Sequence, residues 1–478
     1  MTLSSVTRTL HVSFRLRYFQ RSRSTISTGA VAPDPKATWR TLPARSMGKP
    51  RLRNASWMIR LFVIPTSVSP LISSTSSRRE RTKMAHVNPD ILRWARKTSG
   101  LTLDEAVAKL SIKDARGIAA VDRLKALEAG DNVPTRSMLG KMALHYRRPL
   151  LTFYLAHPPR RRTWGKDFRA PTPNRSVRND ALLDALVRDV QARQGLIRAA
   201  ILEDNEDTSP LRFIGSATPQ TPVERVVGAI RDTIGLELRE YQAAPSADAA
   251  FRLLRSRTEG AGVFVLVLGN LGNQLTDLEV DVFRGFALTD VYAPFVVVNP
   301  KDSPGAKSFT LLHELAHLWL DEPGISGVDP TDPIEVVCNK VASHFLLPEK
   351  ELVALKAPDN PDGDAWAKSI TAFAGPRRIS SSMVAYRLYR HDVIDQATWL
   401  LLRGLFRERW LTGRRAMRQR LQRREGGLPL PVRVRYHVGA GLVDLASQLV
   451  ASGHLSATRA SRVLGVNPSR AYSVFAVQ

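Results

Sequence analysis

Residues 294–320 of the chain read PFVVVNPKDSPGAKSFTLLHELAHLWL. The apolar residues at 295–298 predict a buried strand, and the apolar run that follows predicts a helix over 308–320. Within that helix His313 and His317 are four residues apart and therefore share one face. Two imidazole nitrogens on one face can bind one cation, so this stretch predicts a metal site on a helix that follows a strand.

Glu314, between the two histidines, predicts what kind of reaction the expected metal site catalyses. It cannot join the same close ligand pair, but it can hold a water molecule and accept its proton. Zinc in such a site lowers the pKa of water to about 7, which supplies a nucleophile at neutral pH. The pattern therefore predicts hydrolysis, with Zn²⁺ as the expected cofactor and Mn²⁺ as the alternative. The competing interpretation is two histidines packed by chance in a core helix, and a carboxylate inside the apolar run 311–320 argues against it.

The third ligand has to come from another part of the chain, because a catalytic zinc normally takes three protein ligands. A third histidine at position 323 is excluded, because the chain has Pro323 there. The best candidate is Glu335, which begins the stretch EVVCNKVASHFLLP in a helix predicted over 333–347. Asn339 follows four residues later on the same face, where it could orient a ligand without touching the metal.

Together these two stretches resemble the ImmA/IrrE family of bacterial metallopeptidases. In that family a VN strand and a Phe-Thr pair precede HELxH, and a helix of the form E-x-x-A-N-x-x-A follows. The resemblance implies that His313, His317 and Glu335 are metal ligands, that Glu314 is the general base, and that Asn339 is the asparagine of the motif.

The chain departs from the family pattern at Cys338, where alanine is usual, and at Val341, where an aromatic residue is usual. Weaker similarities to long members lie in GKDFRAP at 165–171 and in GHLSATRASRVLGV at 453–466. Members of the family cleave repressor or antitoxin proteins and so switch genes on. The resemblance therefore implies a DNA-bound regulator as the substrate.

Length and composition place this site in a multidomain protein. A chain of 478 residues with 43% hydrophobic and 24% charged residues predicts about three globular units. No apolar run is long enough to predict a membrane helix. The single cysteine fits a reducing compartment, so we expect a cytoplasmic protein.

Changes in sequence pattern divide the chain into five regions. They are an extension at 1–83, expected to be disordered or a mis-assigned start, a helical domain at 84–159, a helical connector at 160–245, a metallopeptidase domain at 246–395 and a basic helical region at 396–478. The first region is rich in Ser, Thr and Arg, which is also typical of an organelle transit peptide, although Met84 is the favoured start. We predict an α+β fold: a helical amino-terminal domain, a zincin-like core with a small sheet, and a helical carboxy-terminal extension.

The amino-terminal domain is predicted to contain short helices, the second of them opened by a capping box at Thr102. The resemblance to long family members implies an XRE-like helix-turn-helix, in which Arg123 and Lys125 are the candidate nucleic-acid contacts. The link after Leu110 is longer than the usual turn of such a motif. A helical domain that binds a protein partner is therefore the alternative to DNA binding.

The net charge of +26 is unevenly distributed. The carboxy-terminal region carries an arginine cluster at 403–435, where the only acidic residues are Glu408 and Glu425. Such a cluster could bind DNA or an acidic protein, and a solvated helix face is the alternative.

Strands are predicted at 263–268, 280–288 and 295–298, and a second capping box at 221–224. The strand at 295–298 is predicted to be an edge strand that an extended substrate could join. We thus predict an endopeptidase. The alternative is a non-catalytic DNA-binding regulator, or a toxin–antitoxin component, with a structural or sensory metal site, and the presence of Glu314 favours the enzyme.

Overall fold

The computed structural model describes residues 86–159, 176–204, 208–322, 325–326, 332–359, 361–422 and 428–476. The predictions for residues 1–83 and for the segment GKDFRAP lie outside these ranges. The described chain is mostly helical with one small mixed sheet, which agrees with the predicted α+β class. None of the described helices combines the length and the apolar character that a bilayer-spanning helix requires.

The described amino-terminal residues form four α-helices around an apolar core of their own. Their bounds are Pro89–Thr98 (α1), Leu103–Leu110 (α2), Ala120–Ala129 (α3) and Arg136–His145 (α4). The capping box predicted for α2 is confirmed, because the Thr102 hydroxyl accepts the Glu105 backbone N–H at 3.2 Å and the Glu105 carboxylate accepts the Thr102 N–H at 2.9 Å. A buried ion pair 2.7 Å long, between Arg96 and Glu128, joins α1 to α3.

Four described helices lie between this part and the first strand. They are Val177–Asp204 (α5), Val223–Ile234 (α6), Leu238–Gln242 (α7) and Ala247–Gly260 (α8). The capping box predicted at the start of α6 is wrong. The Thr221 hydroxyl instead accepts the backbone N–H of Thr218 at 2.9 Å, and Pro222 takes the N-cap position, where no side chain caps the helix.

The described part of the sheet has four strands. These are Phe264–Val267 (β1), Gly285–Leu288 (β2), Phe295–Val298 (β3) and Ile325–Ser326 (β4). Their order across the sheet is β1-β3-β2-β4. β1 is parallel to β3, whereas β2 is antiparallel to both β3 and β4.

Two predictions about this sheet are wrong. The strand predicted over 280–288 begins only at Gly285, because the N–H groups of Val282 and Phe283 turn back to the Glu279 carbonyl at 3.0 and 3.4 Å. In addition, β3 is not an edge strand, since it lies between β1 and β2. Its backbone groups are already paired on both sides, so a substrate chain cannot add to it.

The remaining described helices follow the sheet in sequence. They are Pro304–Leu320 (α9), Pro333–Leu346 (α10), Glu349–Leu352 (α11), Gly363–Ala374 (α12), Ser381–Arg390 (α13), Gln396–Gln422 (α14), Leu430–Val438 (α15), Ala440–Ala451 (α16), Ala457–Leu464 (α17) and Ala471–Phe475 (α18). The final region is helical in its described residues, as predicted.

Helices cover both faces of the sheet. On one face, Val296 and Val298 of β3 belong to a core shared with α8, α9 and α10. On the other face, Phe295 and Val297 belong to a core shared with α5 and α15 to α18. Burial on both faces explains why β3 is an uninterrupted apolar run rather than an alternating one. The sheet is therefore a fully packed support for α9, which contacts both β2 and β3.

Candidate metal centre

α9 carries the histidine motif through the interior of the protein. The helix begins at Pro304, and the Ser303 hydroxyl caps it by accepting the backbone N–H of Ala306 at 3.3 Å. Every residue from 310 to 320 is buried. Polar side chains in such a segment require partners, because a buried polar group without one costs free energy.

His313, His317 and Glu335 meet at one point. The two Nε2 atoms lie 3.1 Å apart, and each lies 3.2 Å from a different oxygen of the Glu335 carboxylate. Glu335 reaches the histidines from the first turn of α10, which packs against α9. Ligand atoms about 2.0–2.1 Å from a tetrahedral zinc are about 3.3 Å from one another. The donor types and their separations therefore fit a divalent cation, and these three residues could hold one.

The outer ring nitrogens fix the orientation of both imidazoles. Nδ1 of His313 lies 3.1 Å from Oδ1 of Asn339, and Nδ1 of His317 lies 3.0 Å from the backbone carbonyl oxygen of Glu322. Both partners are oxygen acceptors, so each Nδ1 carries the proton and donates it. This arrangement leaves the Nε2 lone pairs directed at the shared point, as in many metal sites.

The Glu322 carbonyl reaches His317 because of the way α9 ends. Asp321 adopts a left-handed conformation with φ of 52°, and the Glu322 N–H turns back to the His317 carbonyl at 3.1 Å. A preceding segment holds this end of the helix, because Gly215 N–H donates to the Leu318 carbonyl at 3.0 Å. Sequence reasoning missed Glu322, since a backbone carbonyl has no residue-type signature. The predicted end of the helix near residue 320 was the only available signal.

Burial and mutual contacts shift the protonation of the three converging groups. Burial lowers the pKa of His313, which favours the neutral imidazole. Burial also opposes the charge on His317, but contacts with Cys338 and Glu335 outweigh it and hold the pKa of His317 well above its usual value. Burial disfavours ionisation of Glu335 too, yet its hydrogen bonds with the two histidines lower the pKa of its carboxyl to about 2. The carboxylate and the two imidazoles thus interact directly with one another.

Glu314 lies beside this point, against β2. Its side chain is fully buried, and its charge contributes to the raised pKa of His317. A Cβ atom at Gly285 would lie 2.8 Å from the Glu314 Oε1 atom, 2.5 Å from the Thr310 Cγ2 atom and 2.9 Å from the Val297 carbonyl oxygen. Only glycine leaves room for the Glu314 carboxylate at this position. Sequence reasoning missed Gly285 as well, because its partner comes from another element.

Residues 272–389 match the model of peptidase family M78, described as the IrrE N-terminal-like domain. No curated protein matches the chain. The matched segment contains the whole convergence of His313, His317 and Glu335, and the match indicates a metallopeptidase-type function. It runs from the loop before β2 into α13, so it includes neither the amino-terminal helices nor α14 to α18.

The predicted nucleic-acid contacts lie on α3, which packs in a different hydrophobic core from α9 and α10. The Arg123 guanidinium donates to the Lys113 carbonyl, and the Lys125 ammonium lies 3.0 Å from the Asp122 carboxylate. Both cations thus have partners within their own domain. Residues 111–119 separate α2 from α3, a longer connection than the 3 to 4 residues usual in a helix-turn-helix. DNA binding and the helix-turn-helix assignment stay predictions.

Removal of the Asn339 side chain should weaken metal binding without unfolding the protein. Asn339→Ala deletes the acceptor that orients His313, and loss of such a partner typically costs about 10- to 100-fold in metal affinity. The measurement is competition for zinc against a chromophoric chelator. Lys340→Ala is the matched control, because this neighbouring side chain is exposed. Equal zinc affinities for the two variants would show that Asn339 does not position the ligand.

Proposed function

We propose that the protein is a metal-dependent endopeptidase in which His313, His317 and Glu335 bind Zn²⁺ and Glu314 acts as the general base. The observation that carries the proposal is the convergence of three buried ligand atoms within 4.8 Å of one another, with a buried carboxylate beside them. The family match supports the same class of reaction. The zincin-like core and the domain division at 246–395 belong to this proposal.

Each side chain of the centre has a separate role in the proposed reaction. His313 and His317 present Nε2 atoms and Glu335 presents its carboxylate, all held by α9 and α10. A divalent cation bound there would polarise the scissile carbonyl and lower the pKa of a water molecule. Glu314 accepts the proton of the attacking water and returns it to the leaving nitrogen. Asn339 and the Glu322 carbonyl keep the imidazoles aligned throughout.

The substrate that this proposal names is a protein, and specifically a repressor or an antitoxin. An endopeptidase that cuts a DNA-bound regulator controls transcription without binding DNA itself. The proposal therefore needs no DNA contact from Arg123 or Lys125, whose cationic groups already have partners.

Metal removal tests the proposal directly. The zinc-loaded full chain is incubated with a repressor encoded beside it, and the products are analysed by mass spectrometry. We expect one cut, loss of cleavage after chelation, and recovery when zinc is restored. Cleavage that persists in protein with no measurable metal would contradict a metallopeptidase. Tight zinc binding without cleavage of any neighbouring repressor or antitoxin would favour the non-catalytic regulator instead.

A further inference from the structure

α14 is a helix of 27 residues whose surface is rich in arginine. Leu402 and Phe406 are buried on one side of its first half. The helix packs against α12 and α13. A second side of the helix carries four arginines. At 3.6 residues per turn, their directions around the helix axis differ by about 120° at most. These are Arg403, Arg407, Arg414 and Arg415, which we call the arginine stripe.

Two arginines of the stripe bind the chain segment that leads into β2. The two terminal guanidinium nitrogens of Arg407 donate to the Asp281 carboxylate at 3.2 and 2.7 Å, and Arg414 donates to the Glu279 carboxylate at 3.1 Å. Asp281 precedes Gly285 by four residues, and Gly285 lies against Glu314. Four residues of chain span at most about 14 Å. Asp281, which pairs with Arg407, therefore lies within about 14 Å of Gly285, the glycine beside the proposed general base.

The two carboxylates that the stripe binds, those of Asp281 and Glu279, are already paired with cations. Glu279 binds Lys301 at 2.8 Å in addition to Arg414, and these cations lower the pKa of its carboxyl although burial opposes the effect. Arg403 and Arg415 are exposed, and no carboxylate of the described residues lies within ion-pair distance of either. The Arg403 guanidinium lies over the Trp399 ring, 5.7 Å from its centre. Among the described residues, Arg403 and Arg415 thus lack an ion-pair partner, and they flank the two paired arginines along the helix.

We propose that the arginine stripe binds an acidic segment of the protein substrate and so places the adjoining chain at the metal centre. The inference rests on the proposed endopeptidase function and names its substrate class. Arg407 and Arg414 show that this face binds carboxylates, one of them through two parallel hydrogen bonds. Leu400, with 48% of its surface exposed, lies on the same side and offers an apolar contact that suits a polypeptide rather than a phosphodiester backbone.

The spacing of the stripe sets the spacing of the acidic residues. Arg403 and Arg415 are twelve residues apart, which is about 18 Å along a helix. An extended chain covers that distance in about five or six residues. The fitting substrate segment therefore carries two acidic positions about five or six residues apart.

The test measures binding apart from cleavage. A fluorescein-labelled peptide with two glutamate pairs five residues apart, and its glutamine counterpart, are titrated with the full-length Glu314→Gln protein. The variant Arg403→Glu/Arg415→Glu should raise the Kd of the glutamate peptide roughly tenfold, because two attractions become repulsions. The matched control is Arg409→Glu/Arg420→Glu, which makes the same charge change on the opposite side of α14 and should shift the Kd less than about twofold.

Several results would overturn the inference. If both double variants weakened binding equally, the effect would come from net charge. If the glutamine peptide bound as tightly as the glutamate peptide, the contacts would not be ionic. Tighter binding of a duplex DNA, lost in the stripe variant, would make the stripe a nucleic-acid site. If the charge reversal unfolds the protein, Arg403→Gln/Arg415→Gln repeats the comparison.

Cleavage assays distinguish loss of the docking site from absence of the peptidase activity. If the parent cuts a repressor and the stripe variant cuts it with unchanged kcat/KM, the stripe is not a docking site although the peptidase survives. If the stripe binds the acidic peptide but the zinc-loaded parent cuts no repressor or antitoxin, the docking site survives and the endopeptidase does not.

Discussion

Glu314→Gln should give a folded protein that retains its metal and cleaves substrate about 10²- to 10⁴-fold more slowly than the parent, because it has lost the proton acceptor. Glutamine has nearly the same size as glutamate, so it should fit between Gly285 and Thr310 without a steric conflict. His313 and His317 keep their partners, because neither Nδ1 contact involves Glu314. The substitution also removes a buried charge, so the melting temperature should not fall.

The measurement combines zinc content by elemental analysis, melting temperature, and the rate of cleavage of one repressor. Glu203→Gln is the matched control, because it makes the same chemical change on an exposed side chain near the end of α5. It should keep the parental rate. If Glu314→Gln cut substrate at that rate too, the proposed mechanism would be wrong.

Glu335→Ala should remove both metal and activity. The Glu335 carboxylate bonds to both histidines at 3.2 Å, and its pKa of about 2 keeps it charged at any pH at which the protein would be assayed. Its loss leaves two imidazoles as ligands. The zinc affinity should therefore fall by more than the roughly 10- to 100-fold that loss of a ligand's outer partner costs.

Glu349→Gln is the control for this variant. Glu349 is a nearby carboxylate, but it pairs with Arg387 at 2.6 Å rather than with the centre, so zinc content should not change. Full zinc in Glu335→Ala together with loss in Glu349→Gln would place the third ligand elsewhere. The two glutamates of the centre thus have different expected signatures: one variant loses activity alone, and the other loses activity and metal together.

The parts of the structure that sequence predicted well are local. β3 and α10 have almost the predicted bounds, because an apolar run and a helical period depend on neighbours in the chain. The convergence of His313, His317 and Glu335 is not local, but it was also predicted, with Glu335 as the best candidate for the third ligand and with the family resemblance implying the same set.

The parts that sequence missed depend on residues far apart in the chain. The pairing of β3 with both β1 and β2 cannot be seen in any one segment, so the interior strand was predicted as an edge. The alternating valines at 280 and 282 imitate a strand, but hydrogen bonds to the Glu279 carbonyl make a turn there. For the same reason, the Glu322 carbonyl that orients His317 was not predicted, because only the fold brings it to the ring.

The close approach at Gly285 has a consequence for comparing this chain with other sequences that carry the histidine motif. The metal ligands lie on α9 and α10, whereas the space for the Glu314 carboxylate depends on one missing side chain on β2. A single-nucleotide substitution that replaces Gly285 by alanine would add a methyl group. That methyl would press on the Glu314 carboxylate, the Thr310 methyl and the Val297 carbonyl oxygen, while the codons of the proposed ligands stayed unchanged. Descendants with that change would still read HELAH and could still bind zinc. Under the proposed mechanism, the residue at position 285 therefore reports on the general base, whereas the histidine motif reports only on the metal ligands.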